Sequence, residues 1–252
     1  MRLDHVALAT RDVTESLGVL VGRLGGTLTA GGNWLGFRSL QVFHGDDAGG
    51  MKIELLEPWE PERNDFLERF LLRHGEGPHH LTFKVDDLEL TLARVADARL
   101  TPVSVDLSQP EWREAFLLPR DAHGTVVQLA DSTHATGLPL EEYQAARREG
   151  ALGSPAWWPE PPARGSEVAR LRRVVLRTRD LDAARGLYVD LLGGEPVGPD
   201  TSDGVELEWP GGGRLALEHA VDDEPGIDRL ELEGSPAELT VVATRLAVRA
   251  PD

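Results

Sequence analysis

In the stretch GEGPHHLTFKVDD, residues 75–87, two histidines stand side by side where a strand-like alternation begins. Leu81, Phe83 and Val85 share one parity with His79 and make an apolar face, while His80 and Thr82 take the other. The same test on three further stretches isolates one metal-competent side chain in each. In LDHVALA, Val6 and Leu8 face a core, and His5 lies opposite with Ala7 and Ala9. In KIELLEP, Ile53 and Leu55 are core, and Glu54 points away with Leu56. In TVVQLAD, Val127 and Leu129 are core, and Gln128 points away with Val126 and Ala130. A carboxylate among Leu, Val and Ala is costly to bury unless it is paired or binds a cation. Two imidazoles, one carboxylate and one amide oxygen suit one divalent ion (nickel, cobalt, manganese, zinc or iron) with positions left for substrate oxygens. Each residue alone would read as structural; their equivalent strand positions make them a set.

The elements that must position this set repeat. LDHVALATRDVTESLGVLVGRLGG (3–26) returns without a gap as LRRVVLRTRDLDAARGLYVDLLGG (171–194). Each copy reads as a strand, a helix capped by Asp12 or Asp180, and a glycine stop. Strands follow around 34–44 and at 51–58. A second round starts at GPHHLTFKV, with a helix over 86–98 and strands in TPVSVDL, WREAFLLP and GTVVQLADS. NDFLERFLLRHG (64–75) reads as a connecting helix that ends at Gly75. A short helix over 138–150 and a Pro-rich linker with Trp157 and Trp158 lead into a third unit. The tail has room for a strand, a helix and one more strand. The expected organisation is therefore a complete module over 1–137, a helix and linker over 138–167, and a truncated, degenerate module over 168–252.

The chain has 252 residues, no cysteine, and 43 acidic against 26 basic residues, a formal charge of −17. Disulfides, thiolate metal sites and a cysteine nucleophile are excluded. The charge argues against a nucleic-acid partner, and no apolar run reaches the length of a membrane span. With a strand-like opening and no signal peptide, a cytoplasmic location is expected.

The DHVALAT, IELLEP and GPHHLTFKVDD strands and the order of units resemble the vicinal oxygen chelate superfamily, nearest its methylmalonyl-CoA epimerase-like branch. That superfamily includes glyoxalase I, bleomycin-resistance proteins and extradiol dioxygenases. The resemblance implies an α+β fold in which paired βαβββ units form a curled, half-open mixed sheet, followed here by the truncated module. It also places metal ligands at His5, Glu54, His80 and Gln128. The implied activity is metal-dependent isomerisation, epimerisation or lysis of a small carbonyl or acyl substrate, a CoA ester among the options, through an enolate-like intermediate. Homodimerisation is one implied assembly; a second module covering the same surface is the other.

Two departures from the family pattern bear on mechanism. Gln128 stands where a glutamate is usual, so it can ligate but cannot act as a base. The segment GNWLGFRSL offers Asn33 and Trp34 where an acid is expected, which leaves Trp34 as a substrate contact and Glu54 as the one carboxylate able to move a proton. In the second module Arg173 and Arg229 replace His5 and His80, and Ala216 or Glu218 replaces Glu54. The arginines suit either an anionic substrate tail or ion pairs filling a disused concavity. The competing functional reading is a non-catalytic, ligand-sequestering protein of the bleomycin-resistance type, and an iron-dependent extradiol dioxygenase is the third. His79 is expected beside the ligands rather than among them. His44 and His123 are expected in solvent-facing turns, the charge of Glu57 at solvent, and the Asp pairs at 46–47, 86–87 and 222–223 in turns and caps.

Overall fold

The carboxylate of Asp12 accepts the amide hydrogens of Thr14 and Glu15, at 2.8 and 3.0 Å, and so starts helix α1 (Val13–Leu17). Asp180 repeats this at helix α4 (Leu181–Arg185), taking the amide of Ala183 at 2.9 Å. Each cap satisfies amides that have no partner inside the helix. Both helices then widen into a π-helical stretch, Gly18–Arg23 and Gly186–Leu191, in which Leu24 N–H reaches Val19 O and Leu192 N–H reaches Leu187 O. The widened turn has no signature in the hydrophobic spacing. Gly25 ends the first stretch at φ 66°, and the amide of Gly26 closes back on Leu20 O. A side chain at Gly25 would need both a left-handed backbone and the space taken by the Glu167 carbonyl, so only glycine serves there.

The computed structural model of the chain describes residues 1–46, 49–132, 159–220, 225–234, 239–240 and 247–248. The helix expected over 138–150, Trp157 and Trp158, Asp47, Asp222 and Asp223, and the helix expected in the tail lie outside the described residues. The chain divides into two compact units. One comprises Ala7–Pro78, Thr136–Leu171 and Leu232–Asp252, and the other Met1–Val6, His79–Ala135 and Arg172–Glu231.

In the first unit an antiparallel meander follows α1: β2 (Thr27–Trp34), β3 (Gly36–Asp46) and β4 (Gly49–Trp59). Its register sets Ala30 opposite Gln41 and Gln41 opposite Glu54, so the three share a face. Helix α2 (Phe66–His74) covers one end of that face. Leu67 and Leu71 pack on Leu56 and on Ala7 and Ala9 of β1 (Arg2–Ala9), with Phe37, Phe66 and Phe70 around them. The small alanines leave room for a helix, and the helix makes this face an interior rather than a solvent boundary. Residues 164–169 lie along the same unit. Arg164 Nε donates to Gly25 O at 2.6 Å, Gly165 N to Val21 O at 3.1 Å, and Ala169 N to Leu24 O at 2.9 Å.

In the second unit β5 (Gly77–Lys84) is followed by α3 (Leu88–Asp97), capped by Asp87, and by β6 (Val103–Asp106), β7 (Arg113–Leu117) and β8 (Val126–Asp131). β8 returns parallel to β5. The unit continues through β9 (Arg170–Thr178), α4, β10 (Glu195–Pro196), β11 (Gly204–Glu208), β12 (Arg214–His219) and β13 (Gly226–Glu233). Its buried centre holds Phe83, Tyr188 and Trp209. The rings of Phe83 and Trp209 meet edge-to-face at 5.2 Å, and the two polar atoms are satisfied, Tyr188 Oη by Ala122 O and Trp209 Nε1 by Leu192 O. Arg94 on α3 donates to Asp190 O and Leu191 O, supplying cationic donors where the π stretch ends.

Eight strands run in the order β2-β3-β4-β1-β5-β8-β7-β6, and five in the order β10-β11-β12-β9-β13. β14 (Leu239–Thr240) and β15 (Ala247–Val248) form a short antiparallel pair. Three times a strand, a helix and three strands close so that the first strand lies beside the last, and β13 then lies against β9. The fold is α+β with mixed, glyoxalase-like sheets. No helix among the described residues is long and apolar enough to cross a membrane. Lys52 and Lys84, the two lysines of the sequence, are both buried.

Two polar groups expected at solvent are buried instead. His44 is fully buried on β3, with Nδ1 3.1 Å from the Ala169 carbonyl, instead of lying in a solvent-facing hairpin. Glu57 is buried as well: it accepts the Val13 amide at 3.2 Å and is clasped by Arg38, whose guanidinium also lies over the Trp59 ring. Each partner is remote in sequence, which is why short-range periodicity missed both.

Candidate metal centre

β1 presents His5 and β5 presents His80, with ring centroids 5.9 Å apart and edge-to-face. Both are buried, as are Glu54 and Gln128. The β5–β8 register sets Thr82 beside Gln128 and His80 beside Val126, so His80, Thr82 and Gln128 face one way. His5, Glu54 and His80 each offer a ligand atom, and these atoms lie within 4.8 Å of one another. Glu54 Oε1 also accepts from Gln41 Nε2 at 3.1 Å.

The hydrogen bonds around His5 fit a cation. Asp4, at 2.9 Å from Nδ1, accepts that ring hydrogen and directs Nε2 toward Thr82 Oγ1, 2.8 Å away. The same hydroxyl donates to Gln128 Oε1 at 2.6 Å. One hydroxyl hydrogen cannot serve both the Nε2 lone pair and the amide oxygen, and with Nδ1–H on Asp4 the Nε2 atom is in the form that can ligate a cation. Carboxylate–histidine pairs of this kind hold imidazoles in the ligating tautomer. His79 Nδ1 lies 2.8 Å from His80 Nδ1, beside the histidine set as expected. Asp4, Gln41, Thr82 and Glu114 were not singled out from the sequence. Glu114 carried a readable signal: in WREAFL it has the parity opposite to Ala115 and Leu117, and its carboxylate accepts from Gln128 Nε2 at 2.7 Å.

Trp34 lies half-exposed at the end of β2 and stacks on Phe37, with centroids 6.4 Å apart. By register Trp34, Gly32 and Ala30 share the face of Glu54, whereas Asn33 pairs with Arg38, itself opposite Glu57, on the reverse face. β2 therefore brings no carboxylate to the face of Glu54. His123 is half-buried rather than in a solvent-facing turn, with Nδ1 3.0 Å from Thr178 Oγ1, and desolvation lowers its pKa.

At the positions equivalent to the histidines, Arg173 is held by Glu231 and Glu206, and Arg229 by Glu218, Asp228 and Glu231. Of the two candidates for the Glu54 position, Glu218 is the one that meets Arg229, at 2.7 Å. Although burial alone would lower them, these bonds raise the pKa values of both guanidinium groups, and the same arginines outweigh burial to lower that of Glu231. Both arginines are paired with carboxylates, the arrangement expected of ion pairs filling the concavity.

Residues 4–116 match the family model described as Glyoxalase/Bleomycin resistance protein/Dioxygenase superfamily. A search of curated proteins finds no match. Among solved structures, a hypothetical protein from Staphylococcus aureus aligns over 99% of this chain and 99% of its own, with TM-score 0.61 at 8% identity, a likeness of fold. Protein BH1468 from Bacillus halodurans C-125 aligns over 54% of this chain and 96% of its own, with TM-score 0.47 and 24% identity. A variant of Streptomyces coelicolor methylmalonyl-CoA epimerase in complex with 2-nitronate-propionyl-CoA aligns over 55% and 99%, with TM-score 0.47 and 24% identity. The strand motifs read above and the family model thus agree that residues 4–116, somewhat under half of the chain, are similar to the Glyoxalase/Bleomycin resistance protein/Dioxygenase superfamily.

Proposed function

We propose that this chain is a divalent-metal enzyme that isomerises, epimerises or cleaves a small carbonyl or acyl substrate. The observation that carries the reading is the convergence of His5, Glu54 and His80 within 4.8 Å, with Gln128 on the face of His80. Those four residues would hold the ion, which when bound supplies a Lewis acid that withdraws charge from a substrate carbonyl and lowers the acidity barrier of the adjacent carbon. Asp4 keeps His5 in the ligating tautomer, and Gln41 steadies Glu54 by donating to one carboxylate oxygen. Thr82 donates its hydroxyl hydrogen to Gln128 Oε1 from a position beside His5 Nε2. The buried surroundings exclude water and strengthen each of these interactions. Glu54 is the carboxylate of the set available to move a proton, and a CoA thioester or a 2-oxoaldehyde adduct is the substrate class to test first. Catechol cleavage on iron is disfavoured because Gln128 leaves the set one carboxylate short.

A second reading, sequestration of a ligand without chemistry, draws support from β2, whose positions on the face of Glu54 are Ala30, Gly32 and Trp34 and include no acid or base. Elemental analysis of native protein and of His80→Ala separates the two. About one divalent ion per chain, absent from the variant, supports the enzyme, and solvent-deuterium incorporation at the carbon beside a thioester carbonyl then identifies the reaction. Native protein that takes up no nickel, cobalt, manganese, zinc or iron(II) rules the enzyme reading out.

A further inference from the structure

An amide in a ligand set is ambiguous, because either its oxygen or its nitrogen can face the cation. The neighbours of Gln128 remove the ambiguity. On one side the Thr82 hydroxyl donates to Oε1 at 2.6 Å; on the other, Nε2 donates to Glu114 Oε2 at 2.7 Å. The β7–β8 register pairs Phe116 with Gln128 and Glu114 with Ala130, which puts Glu114 on the face of Gln128, one pair along the strand. Trp112, the next residue on that face, donates its indole N–H to the same oxygen of Glu114 at 2.7 Å. The carboxylate is thus fixed by two donors, Gln128 on β8 and Trp112 just ahead of β7. An ionised carboxylate only accepts, so it selects the amide nitrogen and turns the amide oxygen away from itself, toward Thr82 and His5.

We infer that Glu114 is a positioning residue of the metal set: it locks Gln128 with its oxygen toward His5 and supplies, through the amide, the negative charge that a glutamine withholds. The inference rests on the metal reading proposed above. A charge-assisted N–H···O⁻ bond polarises the amide and places more negative charge on Oε1, which makes it a better donor to a cation. The carboxylate missing from the ligand position is present one hydrogen bond further out.

The test compares native protein with Glu114→Gln, His80→Ala and the exchange variant Glu114→Gln/Gln128→Glu. In metal-free protein, the side-chain amide resonances of Gln128, identified by their loss in Gln128→Glu, shift in Glu114→Gln. Cobalt(II) affinity, read by chelator competition, falls about 10-fold or more in Glu114→Gln, the usual range for removing a partner of a ligand. The visible absorption of bound cobalt changes with it. The exchange variant restores the bond with donor and acceptor reversed, and regains most of the affinity even if the single variant is poorly folded. Unchanged resonances, affinity and spectrum in Glu114→Gln overturn the inference while leaving the metal site intact, and so does an exchange variant that regains nothing. Native protein that binds no cobalt overturns both, whereas binding lost in His80→Ala, weakened in Glu114→Gln and regained in the exchange variant upholds both.

Discussion

The imidazole of His44 on β3 meets the carbonyl oxygen of Ala169, 125 residues later, at 3.1 Å, in a site from which solvent is excluded. Desolvation lowers its pKa from 6.5 to about 4, and the positive field of Arg164 adds to this against the Ala169 bond. The folded state therefore binds this proton less readily than the unfolded state. The resulting stability is fully present above pH 6.5 and is lost as pH falls from 6.5 toward 4. The loss is about 3 kcal/mol, from 1.36 kcal/mol per pKa unit. Unfolding free energies from denaturant titration at pH 7 and pH 4.5 should differ by about 2.4 kcal/mol in native protein and by much less in His44→Gln.

Asp4 controls which nitrogen of His5 carries hydrogen. In Asp4→Asn the side chain can turn its own N–H toward Nδ1, which moves the ring hydrogen to Nε2 and blocks ligation. Divalent-metal affinity should drop about 10- to 100-fold, measured by chelator competition. Equal affinity in the variant would show that Thr82 alone sets the tautomer.

Capping gives a paired comparison, because Asp12 satisfies two amides and Asp180 one. Asp12→Ala should cost about 1 kcal/mol in chemical unfolding, and Asp180→Ala less. The reverse order would mean that the energy lies in neighbouring packing instead.

Arg229 is held by three acidic residues in a half-buried network. Removing it in Arg229→Ala leaves Glu218, Asp228 and Glu231 to repel one another, at a cost of about 1–3 kcal/mol. Metal content should not change, and native protein should show no saturable binding of inorganic phosphate at this module. Phosphate binding lost in the variant would restore the anion-tail reading of Arg173 and Arg229.

Much of this was legible from alternation. A period of two put His5, Glu54, His80 and Gln128 opposite their core neighbours, and the caps Asp12 and Asp180 marked both helix starts. Parity also carried Glu114, but a carboxylate beside an arginine in WREAFL reads as solvent-facing until its partner strand is known. His44 and His123 were misjudged because their partners, Ala169 and Thr178, are supplied from beyond position 160. Glycine- and aspartate-rich surroundings predict a turn; they carry no information about what later folds over it. The π-helical stretches were invisible for another reason, since their extra residue is absorbed within one turn and leaves the apolar spacing nearly unchanged.

The two lysines have a chemical consequence. Lys84 lies under the Trp112 ring, 4.5 Å from its centroid, Lys52 is 5% exposed, and the N-terminal amine sits 3.3 Å from Asp86. Arginine carries the remaining cationic surface, so the native chain offers acylating reagents no exposed ε-amine. Acetylation, carbamylation and ubiquitin transfer at lysine must all wait for a strand to open. The rate at which a small anhydride modifies Lys52 and Lys84 then becomes a clock for those openings, and each lysine reports on its own strand.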